Sequence, residues 1–351
     1  PEEDPFALPE DATPLQEQIV KLLLELNAAT EARAYGERAA ALVSLVNSAS
    51  PPAELEDVHR ALRVLSSHAA GREDRERDLV PHALWALREL ATPPAIDFLV
   101  DKAMASRPGA AAKLITLLGQ MSSEIIPQLI DHLGRAKVIH ARRVLSTVIR
   151  GFGEAAVPPL LDVLNDDRWY VIRNAVAILG EIGDPSSLSS LEPLTSNAEP
   201  RVAKEALRAF GKIRHPESRK VLERFLTHAR GELQLLAAFA LGVLRDHEAI
   251  PALGAMLPRR VVFTNLALQH EIIKALAKIG TPQSVPLLGR LFRRRSLLAR
   301  ARNEGLRVIA AQALARIDTE EARAVLAGGV DSGNREIARV CRTALHAEAK
   351  G

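Results

Sequence analysis

A unit of about 31 residues recurs along this chain, and that period constrains the fold more than any other feature. A turn signal followed by an amphipathic segment begins at Ala91, Ser122, Gly153, Gly183, Arg214, Asp246, Gly280 and Asp318, at spacings of 31, 31, 30, 31, 32, 34 and 38. A second apolar segment completes each unit from Ser122 onward, from VIHARRVLSTVIRGFG through RWYVIRNAVAILGEIG to REIARVCRTALHA. In the unit from Gly153, Val157, Leu160, Leu161 and Leu164 share one helical face, and Val171, Ala175, Ile178, Leu179 and Ile182 share another. Gly183-Asp184-Pro185 supplies a left-handed C-cap, an N-cap oxygen and a first-turn proline in order. Each unit is therefore expected to be two antiparallel helices joined by a tight turn.

Such a hairpin cannot bury its apolar face alone. Stacked copies share one continuous core, so the expected fold is all-α, an α-solenoid of antiparallel helix pairs. Gly180, Gly211 and Gly242 recur inside the second helices, where a missing side chain permits close helix approach. Composition agrees. Aromatic residues are only 3% of the 351, which argues against a β-sandwich or barrel, and the 47% apolar fraction is ample for a core. A solenoid of this length has no need to divide into two globular domains. Residues 1–12 are expected as an extended or disordered lead-in, 13–90 as divergent N-terminal helical repeats or a cap, and 91–351 as the regular repeats.

The repeat resembles the HEAT family, in particular its short bacterial form related to the phycobilin lyase repeats. The matching element, D-x-x-x-V-x-R-x-A-x-x-x-L-G-x-I-G, stands here as Asp167, Val171, Arg173, Ala175, Leu179, Gly180, Ile182 and Gly183. The likeness is strong over residues 122–318 and fades outside. It implies a non-catalytic scaffold whose partner is another protein, and an Arg at the slot of Arg173 that bridges to an acid of the neighbouring repeat. The equivalent slots hold Arg143, Lys204, Leu235 and His270.

Two surfaces are candidates for binding. Arg168, Trp169, Tyr170, Arg173 and Asn174, with Arg143 one repeat earlier, combine the residue types that anchor protein interfaces. Trp169 also suits the gap between two hairpins, and Asp167 the role of helix cap. Arg259 and Arg260, then Arg293, Arg294, Arg295, Arg300 and Arg302, occupy insertions at equivalent joints of two repeats. Residues 245–316 carry a net charge of +9 against −9 for residues 1–100, so an anionic partner, nucleic acid included, is the alternative. Few aromatics are interleaved, which disfavours single-strand stacking. A resemblance to HEAT-like DNA glycosylases would place Trp169, Tyr170 and Asp167 at a duplex.

Other chemistry is not expected. His270-Glu271 resembles the metal pairs of deoxyhypusine hydroxylase, but that family needs four such pairs and the remaining slots hold Arg, Lys or Leu. His247-Glu248 reads as turn and first-helix residues, and the single cysteine, Cys341, as packing. Phosphate loops, nucleophile elbows and H-E-x-x-H are missing. No apolar run reaches a membrane span and no apolar leader precedes the acidic start, so no cofactor, no metal and a cytoplasmic location are expected.

Overall fold

The computed structural model describes residues 4–49, 53–71, 78–106, 108–257, 265–294 and 300–346. Among them there are helices and turns and no strand. The chain divides into two compact units, residues 1–162 and 163–351.

In the N-terminal unit the sequence-read helices appear close to their expected limits: α1 (Pro14–Ala28), α2 (Ala32–Ser48), α3 (Leu55–Ala69) and α4 (Val80–Leu90). Thr13 opens α1 with a reciprocal capping box, its hydroxyl taking the Gln16 N–H while the Gln16 side chain accepts from the Thr13 N–H. Next come α5 (Pro93–Ala105), α6 (Pro108–Gly119), α7 (Ile126–Arg135), α8 (Ile139–Gly151) and the short α9 (Val157–Asp162). Each of the first four odd-numbered helices packs on its successor. The fully buried Tyr35 of α2 shares a hydrogen bond of 2.9 Å with His68 of α3, whose other ring nitrogen faces Asn27 of α1 at 3.3 Å.

The C-terminal unit is a ladder of second helices: α10 (Trp169–Ile182), α12 (Pro200–Lys212), α14 (Gly231–Leu244), α16 (Leu266–Ile279), α18 (Arg300–Ile317) and α20 (Arg335–His346), each packed on the next. Between them run the shorter first helices α11 (Leu188–Leu191), α13 (Pro216–Phe225), α15 (Ile250–Ala255), α17 (Val285–Arg293) and α19 (Glu320–Ala327). Leu179, Leu207, Phe210, Leu241, Leu276 and Leu314, all essentially inaccessible, continue the core along the ladder. Each is worth about 2 kcal/mol of apolar burial.

Three details depart from the sequence reading. Several first helices open with a 3-10 turn, at 153–156, 185–187, 247–249 and 282–284, and a further 3-10 turn at 163–165 leaves the apolar run of 157–164 only partly α-helical. Pro185 and the Asp184 cap hold the turn at 185–187, the Asp246 cap that at 247–249 and Pro282 that at 282–284, while 153–156 has neither device. The helix after the Arg-rich insertion starts at Arg300 rather than Leu306, because residues 300–305 hold no proline and buried Asn303 donates to the Arg294 carbonyl at 3.0 Å. Arg300 and Arg302 thus lie on a helix, not on a connecting loop. Third, the left-handed C-cap filled by Gly183 (φ 80°) and Gly280 (φ 72°) is taken by Arg245 at φ 56°. A side chain there costs roughly 1 kcal/mol. Arg245→Gly is expected to stabilise the C-terminal unit by about that much, read as a higher melting temperature.

Candidate functional site

The second helices of the C-terminal unit present their slot residues in one row. Caps set the start of two of them: Glu199 accepts from the Arg201 N–H, and Asn265 from the Leu268 N–H. Gly180, Gly211 and Gly242 then set the spacing. A Cβ at Gly180 would lie 2.8 Å from the Ala209 Cα, one at Gly211 would lie 2.9 Å from the Ala240 Cβ, and one at Gly242 would lie 2.8 Å from the Ala275 Cα. Real side chains do not tolerate such distances, so glycine is what lets α10, α12, α14 and α16 approach this closely.

Polar rungs cross the gaps from α10 to α12 and from α12 to α14. Arg173 reaches Glu205 of the next helix at 3.8 Å, and Arg208 joins the same buried carboxylate at 3.1 Å. Lys204 pairs with Glu232, again one helix on, and Lys212 reaches back to Glu181 at 2.6 Å. The bridge expected of the Arg173 slot is therefore present, and Lys204 repeats it. Two cations lie over aromatic faces of the preceding helix, Arg201 over Trp169 at 4.7 Å and Lys278 over Phe239 at 4.0 Å.

Between these rungs lies an open groove of about 550 Å³. Leu235, Leu236 and Phe239 of α14 provide its apolar lining, and Lys204, Arg208, Glu232, His270, Glu271 and Lys274 its polar lining. Phe239 is 41% exposed, unusual for a phenylalanine. Burial and nearby Lys274 hold the His270 imidazole below its ordinary pKa, so the ring is neutral at pH 7. Burial also lowers the Lys278 ammonium; Glu271 opposes this, while Arg316, Lys274 and Arg245 add to it. The groove offers an apolar seat in a mixed-charge surround.

Three of the slot residues, Lys204, Leu235 and His270, line this groove together, and Arg173 connects to it through Glu205. Phe239 and Leu236 were not singled out from sequence, although a signal existed. The segment LQLLAAFALGVL is apolar on every face, more than one buried stripe requires.

The other expected residues are placed as follows. Arg168 is clasped by Asp166 through its backbone N–H at 2.7 Å and its guanidinium at 2.8 and 2.9 Å. The turn acceptor is thus Asp166, two residues back, rather than Asp167, which is exposed. Trp169 is half-buried, meets Tyr170 edge to face, and lies beneath Arg201 of the next repeat, while Tyr170 is exposed. Asn174 is half-buried and accepts from Arg173 at 3.3 Å. Arg143 is exposed on α8 of the N-terminal unit.

Of the basic insertions, Arg259, Arg260 and Arg295 lie outside the described residues. Arg293 ends α17, Arg294 follows it, and Arg300 and Arg302 begin α18; Arg293, Arg300 and Arg302 are exposed. Asp246 caps the turn 247–249, and Glu248 pairs with Arg219 at 2.6 Å, as a turn role for His247-Glu248 requires. Cys341 is fully buried, and burial raises its thiol pKa. Among the described residues no three His, Cys, Asp or Glu side chains converge as a metal site requires, and no helix is long and apolar enough to cross a membrane.

Comparison with known proteins matches a sequence model of HEAT repeats to residues 157–233 and 220–301. A search of curated protein sequences gives no match. Among solved structures the chain is similar to an engineered protein (18% identity, 95% of this chain and 98% of that one, TM-score 0.35). It is similar also to human deoxyhypusine hydroxylase in complex with glycerol (20% identity, 84% and 98%, TM-score 0.32). A third is the complex of CpcE and CpcF of phycocyanin lyase from Nostoc sp. PCC7120 (22% identity, 44% and 99%, TM-score 0.39).

Proposed function

We propose, from the premise that residues 157–301 are HEAT repeats, that this chain is a non-catalytic scaffold that binds another protein along its second helices. The observation that carries this reading is the groove of the C-terminal unit. Leu235, Leu236 and the exposed ring of Phe239 form an apolar seat, and charged side chains of three successive repeats surround it. An amphipathic segment of a partner fits such a site. Its apolar side chains displace water from Leu235, Leu236 and Phe239, and its polar edge meets Lys204, Arg208, Glu232, Glu271 and Lys274. Trp169, Tyr170, Arg173 and Asn174 extend the same row of second helices by one repeat. Buried aromatics dominate interface energetics, so Phe239 is the expected anchor. Arg168 is a lesser contributor because its guanidinium is already engaged by Asp166.

The test compares proteins retained from source-cell extract by the immobilised wild type, by Phe239→Ser with Leu236→Ser, and by Arg339→Ala as a surface control. The groove variant is expected to lose its specific partner by at least about tenfold, the size of one interface anchor. Its melting temperature should stay within a few degrees, because the ring is already partly in water. Retention of the same proteins by the wild type and both variants would overturn the reading.

A further inference from the structure

A second surface, in the N-terminal unit and independent of the groove, stands at the start of helix α8, where two aliphatic side chains are exposed. Helix α8 begins without a polar cap. Its N-cap residue is Val138, in the extended conformation that a capping residue adopts, and no side-chain oxygen serves the free N–H groups. The equivalent position holds Glu199 before α12 and Asn265 before α16, which accept a backbone N–H, and Arg168 before α10 and Arg230 before α14, which do not. Val138 is 59% exposed and Ile139 is 71% exposed. Neighbouring Ala141, Val144 and Leu145 are buried, so the exposed pair is not a frayed continuation of the core stripe. An apolar residue at a cap gives up stability that Ser, Asn or Asp would supply.

The chain on both sides of this pair is rich in cations. From His132 to Gly153 the chain carries Arg135, Lys137, Arg142, Arg143 and Arg150 and no Asp or Glu. Arg135 is paired with Asp131 at 2.6 Å. Lys137 and Arg143 are exposed, Arg142 is half-buried, and His140 is exposed beside Ile139. Two aliphatic side chains therefore stand out of a cationic surface. Phosphate contacts would use the cations but gain nothing from Val138 and Ile139, and residues 135–145 hold no Phe, Tyr or Trp to stack a base. Two short aliphatic chains also give a bilayer too little apolar depth for stable attachment.

We propose that the Val138–Ile139 tip, ringed by Lys137, Arg142 and Arg143, is a docking surface for an acidic protein segment that carries apolar side chains. Val138 and Ile139 insert between the segment's aliphatic groups, and its carboxylates meet Lys137, Arg142 and Arg143. Charge steering makes the association fast and salt-sensitive, while the apolar pair sets the lifetime of the complex.

The experiment uses the full chain and a short fluorescent peptide of Glu and Leu, with Leu at helical spacing, read by anisotropy at low and high salt. A companion peptide has every Leu replaced by Ser. Phosphatidylserine vesicles and a short DNA duplex are the remaining probes. The Glu-Leu peptide is expected to bind more tightly than the Glu-Ser one and to weaken with salt. Val138→Asn is expected to weaken it about tenfold, as loss of one buried aliphatic group predicts. Arg142→Glu with Arg143→Glu should abolish binding, and the groove variant Phe239→Ser should retain it.

Val138→Asn also supplies the missing cap, so its melting temperature should rise by about 2–4 °C even as binding falls. That opposition separates a lost surface from a lost fold. Equal binding by the tip variants and wild type would overturn the proposal. So would loss in Phe239→Ser alone, or vesicles or duplex bound in preference to the Glu-Leu peptide through the same residues. Because the groove variant is scored in the same assay, failure of this surface and failure of the groove are read apart.

Discussion

Gly211→Leu is expected to destroy cooperative folding of the C-terminal unit, at a cost above about 3 kcal/mol, the upper range for overpacking a core. The reason is the approach of α14 to α12. A Cβ on Gly211 would lie 2.9 Å from the Ala240 Cβ and 3.0 Å from both its Cα and its carbonyl oxygen. Two of those atoms are backbone, which cannot swing aside as the end of a side chain can. Gly211→Ala should show the same conflict in milder form. Helix propensity favours Ala by about 1 kcal/mol, yet the clash should exceed that gain and leave a net loss. Ala240→Gly in the Gly211→Ala background removes one of the close atoms and should recover part of the loss, a coupling of about 1 kcal/mol in a double-mutant cycle. Gly305 is the control. It lies inside α18, and a Cβ added there would meet nothing within 4 Å, so Gly305→Ala should stabilise the same unit by about 0.5–1 kcal/mol. Thermal melting of these four variants and of Ala240→Gly alone, which the cycle requires, checks the series. Equal effects of Gly211→Ala and Gly305→Ala would show that close approach is not what the recurrent glycine serves.

The N-terminal unit is expected to lose stability in mild acid through one buried imidazole. His59 of α3 is almost inaccessible, and its pKa is depressed to about 4. Burial is the first cause and the ammonium of Lys102, 3.2 Å from Nδ1, the second; Glu56 opposes them. The folded unit therefore holds His59 neutral, while the unfolded chain protonates it near its ordinary value of 6.5. Above pH 6.5 both states carry neutral His59 and stability is undiminished. Between 6.5 and 4 the unfolded chain binds a proton that the folded one refuses, and stability falls. Below 4 both are protonated and this loss is complete. The shift corresponds to about 3 kcal/mol. Glu56, whose carboxyl is held below its ordinary pKa by Lys102 and His59 against the cost of burial, pushes the same way at lower pH. His59→Gln should flatten the stability profile between pH 6.5 and 4, whatever it does to absolute stability at pH 7. Denaturant titrations at several pH values read the slope directly, and an unchanged slope in the variant would assign the acid sensitivity elsewhere.

Much of this was legible in the residues. The apolar spacing of Val171, Ala175, Ile178 and Leu179 is a property of a single helix, and each of the four is buried. The cap sequence Gly183-Asp184-Pro185 acts locally and is read locally. Alignment of slots on the recurrent glycine placed Lys204, Leu235 and His270 in one column, and the structure places them in one groove. Arg173 was expected to bridge to the next repeat, and it meets Glu205. The basic insertion was less legible. An Arg-rich stretch without proline reads equally well as loop or helix, and only the structure shows the helix from Arg300, with Asn303 donating to the Arg294 carbonyl.

Periodicity, caps and the repeat length determined the helices and their pairing, because hydrogen bonding and side-chain spacing along one helix need no distant partner. Exposure was different. Phe239 and Val138 are apolar residues in helical segments, and nothing in their own neighbourhoods says whether the next helix covers them. That depends on how near α16 stands to α14, or what faces the start of α8. Such distances are set by contacts between residues some thirty positions apart, such as Gly211 against Ala240. Tertiary packing alone therefore decided which apolar side chains became core and which remained open as surfaces for a partner.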